Sequence, residues 1–421
     1  MRYEKISPEL FIQNRQRLIQ KLKPQSVAIF CSNDPMPANA DGTMGFIQNS
    51  NLFYLTGIDQ EETFLVVNPA HPDPEMREVL FVRETSEHIR IWEGEKLTKE
   101  EAREISGIRT VYWSSQFESV VYRLIPANER IYLNLNEHDG ADISFETRER
   151  KLLKELKEKF PLHNYDRSAP LLQELREVKS KHEIELLKKA IDITGKAFRR
   201  LTRFIGPGVF EYQLEAEMTH EFLMNRSRGH AFQPILASGE NACVLHYVTN
   251  NNFCKSGDLI LMDFGAEYAN YKADITRTVP VSGKFTERQK VVYQAVLNVL
   301  YASRKLIVPG NTLVQLKEQA NELMKEELLK LGLITPENPQ VKKYFPHGIS
   351  HFLGLDVHDV GDKYAIFKPG MVFTCEPGIY IPEEGLGIRL ENDILVTENG
   401  NIDLMEGIPL EIEEIERMMN D

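Results

Sequence analysis

Two aspartates, Asp263 and Asp274, fall in one short stretch, Leu259 to Thr278 (LILMDFGAEYANYKADITRT), whose apolar arms and turn-forming middle read as a β-hairpin. Aspartate is a poor strand former, so two of them on one buried-looking hairpin need a reason. Gly265 and Asn270 are turn-type residues, and a turn centred between Tyr268 and Ala269 puts Asp263 directly across from Asp274. Residues opposed in this way share a face, with Cβ atoms roughly 4.5–5.5 Å apart. At that spacing two bare carboxylates repel, whereas two carboxylates around a cation do not. The mundane alternative is a pair of water-exposed acids at frayed strand ends.

Further candidates follow in the chain. His347, His351 and His358 lie among glycines in HGISHFLGLDVHD. His347 and His351 have the spacing of two helix-borne zinc ligands, but Gly348 stands where an H-E-x-x-H peptidase has its catalytic glutamate, and Gly354 opposes a continuous helix. That class is excluded. Glu376 ends the apolar run VFTCE, which Pro377-Gly378 cuts short, and Glu391 shares a strand face with Arg389 by the period of two. Taken alone, Glu391 reads better as half of a plain Arg–Glu surface pair. Together, Asp263, Asp274, His351, Glu376 and Glu391 make four carboxylates and one imidazole, an oxygen-rich set suited to Mn²⁺, Co²⁺, Fe²⁺ or Zn²⁺. Four negative charges balance two divalent cations, and such a pair can hold a bridging hydroxide and polarise a carbonyl at neutral pH.

The elements that must position these residues divide the chain in two. At 421 residues it is too long for one ordinary core, and 42% hydrophobic with 27% charged residues are globular values. Ser7-Pro8-Glu9 opens a helix, and β-rich runs at Val27–Cys31, Phe64–Val67, Val79–Val82, Val111–Trp113 and Arg130–Leu133, with a helix from near Thr98, predict an α/β layer domain. No nucleophile, phosphate loop or ligand cluster appears in it. Charged helical segments at Phe145–Phe160 and Leu171–Arg203 flank Pro161 and Pro170, which places the boundary near Leu172, giving domains 1–172 and 173–421. In the second domain Ile184, Leu187, Ile191 and Phe198 form an apolar helix stripe. Helices at Glu211–Asn225, Glu287–Ile307 and Thr312–Leu331 alternate with strands, and the similar breaks Gly206-Pro207-Gly208 and Pro309-Gly310 suggest an internal duplication with a site between its halves.

Composition excludes several roles. A net charge of −13 argues against binding nucleic acid, and the basic cluster Lys196–Arg203 reads as a solvated helix face. No run approaches the ~18 apolar residues of a membrane span, and the first residues lack the apolar core of a signal peptide, so the expected location is the cytoplasm. Cys31, Cys243, Cys254 and Cys375 are too scattered for a zinc or redox motif and are expected as free thiols.

Five segments carry a resemblance: GENACVLHY, MDFGAEYANYKADITRT, HGISHFLGLDVHD, TCEPGIY and GIRLENDILVT, in this order along the chain. They resemble the Xaa-Pro group of the pita-bread metallopeptidases, which comprises the aminopeptidase P and prolidase enzymes. DGTMGFIQNSNLFYLTG, from Asp41 to Gly57, is similar to that group's amino-terminal domain, and IPLEIEEIERMM to aminopeptidase P endings. The resemblance implies a two-domain α/β chain: an α/β creatinase/prolidase-like amino-terminal domain, then an α+β pita-bread catalytic domain with a pseudo-twofold repeat. It implies two divalent metal ions, Mn²⁺ in the first place and Co²⁺ or Zn²⁺ otherwise. Asp263 would bind one metal, Asp274 and Glu391 would bridge, and His351 with Glu376 would complete the other. Glu376 would also handle the proton of the attacking water. His246 and His358 would hydrogen-bond the substrate and the developing oxyanion, His347 would line a proline pocket, and Arg389 would steady the ligating carboxylates. Tyr380 and Phe232 match aromatic site positions, and Trp92 resembles an aromatic that reaches a neighbouring subunit. The segment between Glu376 and Glu391 is shorter than in some relatives, where it helps form the site rim.

The implied activity is hydrolysis of the bond between an N-terminal residue and a following proline, in a homodimer or homotetramer without nucleic-acid or membrane partners. A prolidase limited to Xaa-Pro dipeptides is the runner-up, because both groups share all five ligands. A metal-free binding module or a creatinase-like hydrolase would have lost ligands, and here all five are intact.

Overall fold

The structure is a computed structural model that describes residues 3–138, 140–141 and 144–421, so Met1 and Arg2 of the expected first domain lie outside the described residues. It forms two compact units, Tyr3–Arg176 and Glu177–Asp421. The division falls at the C-terminal end of helix Ala169–Glu177, which contains Leu172.

In the first unit six strands make one sheet: β1 (Ser26–Cys31), β2 (Phe64–Val67), β3 (Glu78–Val82), β4 (Thr110–Trp113), β5 (Arg130–Leu133) and β6 (Asn164–Arg167), in the order β4-β3-β2-β1-β5-β6. β1 is antiparallel to β2 and parallel to β5. As an interior strand it is buried along its whole length, which is why it reads as a continuous apolar run and not as an alternation. Val27, Ile29 and Cys31 share a core with Phe117 and Val121 of helix Phe117–Leu124 and with Leu152 and Leu156 of helix Arg148–Lys159. The edge strand β6, NYDR, is half-exposed and polar, so its sequence carries no strand signal.

The second unit repeats one plan. Helices Lys181–Phe204 and Glu211–Met224 precede β7 (Ile235–Ser238), β8 (Leu259–Phe264), β9 (Glu267–Tyr268), β10 (Tyr271–Lys272) and β11 (Ile275–Pro280). Helices Glu287–Arg304 and Leu313–Lys330 then precede β12 (Val372–Cys375), β13 (Gly378–Ile381), β14 (Leu386–Arg389), β15 (Asn392–Thr397) and β16 (Gly400–Asp403). Leu187, Ile191 and Phe198 are buried and Ile184 is half-buried. The helical segment expected as continuous from Leu171 to Arg203 is two helices. Ser180 ends the break by accepting the Glu183 amide while the Glu183 carboxylate accepts the Ser180 amide, a capping box that starts a new helix. No helix among the described residues is long and apolar enough to cross a membrane.

The hairpin corrects the expected register. Asp263 pairs with Thr276, not with Asp274, and Tyr268 pairs with Tyr271. The turn is therefore centred between Ala269 and Asn270, whose φ angles of 52° and 66° are the positive pair that a tight two-residue hairpin turn requires. The shift is of two residues. Because side chains alternate with a period of two, an even shift keeps both aspartates on one face, as diagonal and not direct neighbours. Gly265 is needed beside them, since a Cβ there would lie 1.7 Å from the Ala273 carbonyl oxygen. Replacing Gly265 with Ala is expected to prise the hairpin open and to lower the stability of the second unit by about 1–3 kcal/mol, the usual cost of overpacking. Differential scanning calorimetry checks this, and an unchanged transition for that unit would contradict the close approach.

Candidate metal centre

Each candidate ligand is delivered by a different piece of the second unit. Asp263 comes from β8, and Asp274 immediately precedes β11. Glu376 follows the last residue of β12, where its amide donates to the Ile349 carbonyl at 2.9 Å. His351 lies on irregular chain but is pinned to β12, its carbonyl accepting the Thr374 amide at 3.0 Å and its amide donating to Thr374 Oγ1 at 3.2 Å. Glu391 was expected on a strand with Arg389. It lies instead in the link between β14 and β15, because its amide turns to the Thr276 carbonyl at 3.0 Å. Arg277, fully buried, donates to the Glu391 carbonyl at 2.6 Å and fixes that link from the other face of β11.

Ligand atoms of Asp274, His351 and Glu391 lie within 4.8 Å of one another. His351 Nε2 is 3.5 Å from Asp274 Oδ2 and 3.6 Å from Glu376 Oε1, and its Nδ1 is 3.0 Å from the Phe352 carbonyl. A carbonyl accepts only, so the ring proton belongs on Nδ1 and the Nε2 lone pair faces carboxylate oxygens. Lone pair against lone pair is unfavourable unless a proton or a cation lies between them. Asp263 Oδ1 and Asp274 Oδ1 are also buried without a hydrogen-bond partner. The residues fit a metal site on these grounds.

A second network adjoins it. Arg389 donates to Asp263 Oδ2 at 2.6 Å, to Tyr380 Oη at 2.8 Å and to Thr276 Oγ1 at 3.2 Å, and Thr276 donates on to Glu391 Oε2 at 2.6 Å. Tyr380 Oη, taking the Arg389 proton, gives its own to His347 Nε2 at 2.8 Å, while His347 Nδ1 is 2.7 Å from the Gly348 carbonyl. His347 is thus neutral. Burial, then Arg389, hold its pKa down to about 4. Burial pushes the Tyr380 phenol up to about 12. For Arg389 burial works against the charge, but Tyr380 and Asp263 outweigh it and keep the guanidinium protonated.

Burial followed by repulsion from neighbouring carboxylates raises Asp274 and Glu391 well above the ordinary carboxylate range. Glu376 is raised by burial despite the counter-pull of His351 and Arg389. His358 is exposed with its ring centroid 4.3 Å from that of His351, His246 is exposed on the turn after the short helix Gly239–Cys243, and Phe232 is half-buried in the loop before β7.

Residues 185–398 match the model of metallopeptidase family M24, and residues 11–132 match the aminopeptidase P N-terminal domain. The chain belongs to metallopeptidase family M24. Its M24 relatives include the Xaa-Pro aminopeptidase of Escherichia coli, 36% identical over 434 residues and covering 98% of both chains. Human Xaa-Pro aminopeptidase 3 is 31% identical over 415 residues, covering 94% of this chain and 80% of that one. Zinc-substituted E. coli aminopeptidase P in complex with product superposes with a TM-score of 0.89 at 34% identity, covering 99% of both chains. A Pseudomonas aeruginosa aminopeptidase superposes at 0.90 with 31% identity over 99% and 98%. The architecture is accordingly an amino-terminal α/β domain followed by a pita-bread M24 domain.

Two residues of this M24 centre escaped the sequence reading. Asp393, fully buried, accepts the Asp274 amide at 3.3 Å and leaves Oδ1 unpartnered, and Thr276 links Arg389 to Glu391. Both stand two places beyond a recognised acid, in D-I-T and E-N-D, so the period of two held the signal. Burial raises Asp393 as well. A carboxyl whose folded pKa exceeds its unfolded value stabilises the fold at low pH and loses that contribution as pH rises through the folded value. For Asp274, Glu376, Glu391 and Asp393 the penalty therefore grows upward from about pH 4 in metal-free protein. A bound divalent cation removes it, so the rise in Tm produced by Mn²⁺ is expected to be larger at about pH 8 than at about pH 5. Thermal melts of chelator-treated protein with and without Mn²⁺ test this, and a pH-independent rise would count against it.

Proposed function

We propose that the chain is an Xaa-Pro aminopeptidase, releasing an N-terminal residue that precedes proline. The observation that carries the reading is the His351 Nε2 lone pair facing buried Asp274 and half-buried Glu376. Asp263, Asp274, His351, Glu376 and Glu391 would hold two divalent cations, Mn²⁺ in the first place. When bound, the pair supplies Lewis acidity at the scissile carbonyl and lets water attack at neutral pH.

The chain's own groups do the rest. Glu376, whose carboxyl burial raises above its ordinary value, takes the proton of the attacking water and returns it to the leaving proline nitrogen. His358 and His246, both solvent-exposed, would meet substrate oxygen atoms and stabilise the tetrahedral oxyanion. His347, kept neutral beside Tyr380, offers an uncharged ring edge to an apolar proline, and Phe232 is a further apolar wall. Arg389 remains protonated and holds Asp263 in place without exchanging protons. The first unit, which carries none of these groups, would restrict substrate length in a cytoplasmic homodimer or homotetramer. The highly exposed Ile91 and Trp92, at 71% and 75%, support contact with a partner subunit.

Chelation is expected to abolish hydrolysis of an Xaa-Pro-containing tripeptide, with Mn²⁺ or Co²⁺ restoring it. Full activity in protein shown by elemental analysis to be metal-free would refute the metal reading. Preference for an Xaa-Pro dipeptide over the tripeptide would instead make the enzyme a prolidase. Glu376→Gln should keep the shape of the site yet lower kcat by at least roughly 10²-fold. Near-normal kcat with both metals bound would remove Glu376 from proton transfer.

A further inference from the structure

The part of the second unit that carries His351 and His358 has little regular structure: from Phe345 to Met371 the only ladder contact among the described residues is the isolated bridge Phe352–Phe373. What closes this stretch is a hydrogen bond from the Asp359 amide to the Phe352 carbonyl at 2.9 Å. That carbonyl is also the one that accepts His351 Nδ1–H at 3.0 Å. The position of Asp359 therefore bears on the group that orients the His351 ring, and Asp359 directly follows His358.

Beneath the closed loop the Asp359 carboxylate pairs with Lys179 Nζ at 3.1 Å, with both side chains only 1% exposed. Lys179 is itself fixed, its amide donating to the Gly370 carbonyl at 2.9 Å. The loop wraps the pair so tightly that a Cβ at Gly354 would lie 2.1 Å from Asp359 Oδ2 and 3.0 Å from Lys179 Cε. From the same Gly354 the carbonyl accepts the Lys272 amide at 2.9 Å, which joins the loop to the hairpin bearing Asp274. A buried ion pair is a poor source of stability, since apolar residues of similar volume commonly do as well. What it supplies is a constraint, because moving either partner away leaves the other charge buried and uncompensated.

We propose that Lys179 and Asp359 are positioning residues, a buried ion pair that sets the imidazoles of His351 and His358 against the carboxylate cluster. The effect on turnover rests on the aminopeptidase reading above, whereas the effect on cation binding does not. Lys179→Met and the double variant Lys179→Met/Asp359→Leu separate positioning from simple charge. Loss of the lysine alone leaves the site more negative, so the electrostatic field by itself would tighten Mn²⁺ binding. Lost positioning would weaken it. The double variant leaves net charge unchanged and fills the core with apolar groups.

Isothermal titration of the metal-free proteins with Mn²⁺, alongside thermal melts, is the deciding experiment. The expected result is binding weaker by about tenfold or more in both variants, the usual size of an effect on a metal ligand's supporting partner. In the double variant this should occur with Tm near that of the wild type, and kcat for the Xaa-Pro tripeptide should fall while KM changes little. Unchanged or tighter Mn²⁺ binding in a folded variant overturns the proposal, and a single variant that fails to fold leaves the double variant to decide. If the wild type binds Mn²⁺ but shows no Xaa-Pro turnover, the aminopeptidase reading fails while the titration still judges the ion pair.

Discussion

Four neighbouring carboxylates, Asp274 and Glu391 buried and Asp263 and Glu376 half-buried, repel one another, and the second unit is organised around tolerating that repulsion. Burial and mutual charge raise Asp274 and Glu391 well above the ordinary range, so without a counter-ion the fold carries an electrostatic load at neutral pH. Arg389 answers part of it by donating to Asp263. Thr276 answers another part with a neutral donor to Glu391, whereas Asp393 adds its own buried charge beside Asp274 and is itself eased by the Asp274 amide. The remainder is left for cations, as the orphaned oxygens of Asp263 and Asp274 and the inward lone pair of His351 indicate.

Holding such a set requires that the backbone be rigid before any ion arrives. Arg277 illustrates how this is done. Fully buried on the face of β11 opposite Thr276, it donates to the carbonyls of Pro409, Thr276 and Glu391 and to the Asn392 side chain, so one guanidinium ties β11 to the link that carries Glu391. Its charge is satisfied by carbonyl dipoles, and it makes no hydrogen bond to the candidate ligands' carboxylate oxygens. Arg389, from a neighbouring strand, faces the carboxylates directly. Two arginines thus divide the work, one bracing the frame and the other balancing charge.

The first unit is built on a different principle. Its sheet buries an interior strand on both faces and brings its polar groups together mainly in structural hydrogen bonds, as where Arg15 satisfies the carbonyls of Leu55 and Ser106. Among its described residues no group of three or more His, Cys, Asp and Glu is assembled for a metal. Chemistry and framing are segregated into separate units, which is consistent with the separate matches of residues 11–132 and 185–398 to two families of domain.

How much of this was legible in the chain depends on the range of the interaction that decides it. Aspartates on an apolar hairpin, glycine-flanked histidines and a glutamate cut off by Pro377-Gly378 are local anomalies, so the candidate ligands drew notice by residue type and spacing, while their individual roles came only with the family resemblance. Strands with strong apolar runs, such as Phe64–Val67 and Arg130–Leu133, were legible for the same reason, whereas the polar edge strand Asn164–Arg167 was not. The exact pairing of Asp263 hung on positive φ at Ala269 as well as Asn270, and alanine gives no sign of that conformation. The roles of Thr276, Arg277 and Asp393, and the burial of Lys179 against Asp359, were decided only by the tertiary structure. Those contacts join residues far apart in the chain, and an ordinary lysine or threonine becomes part of a site only when folding removes the water around it.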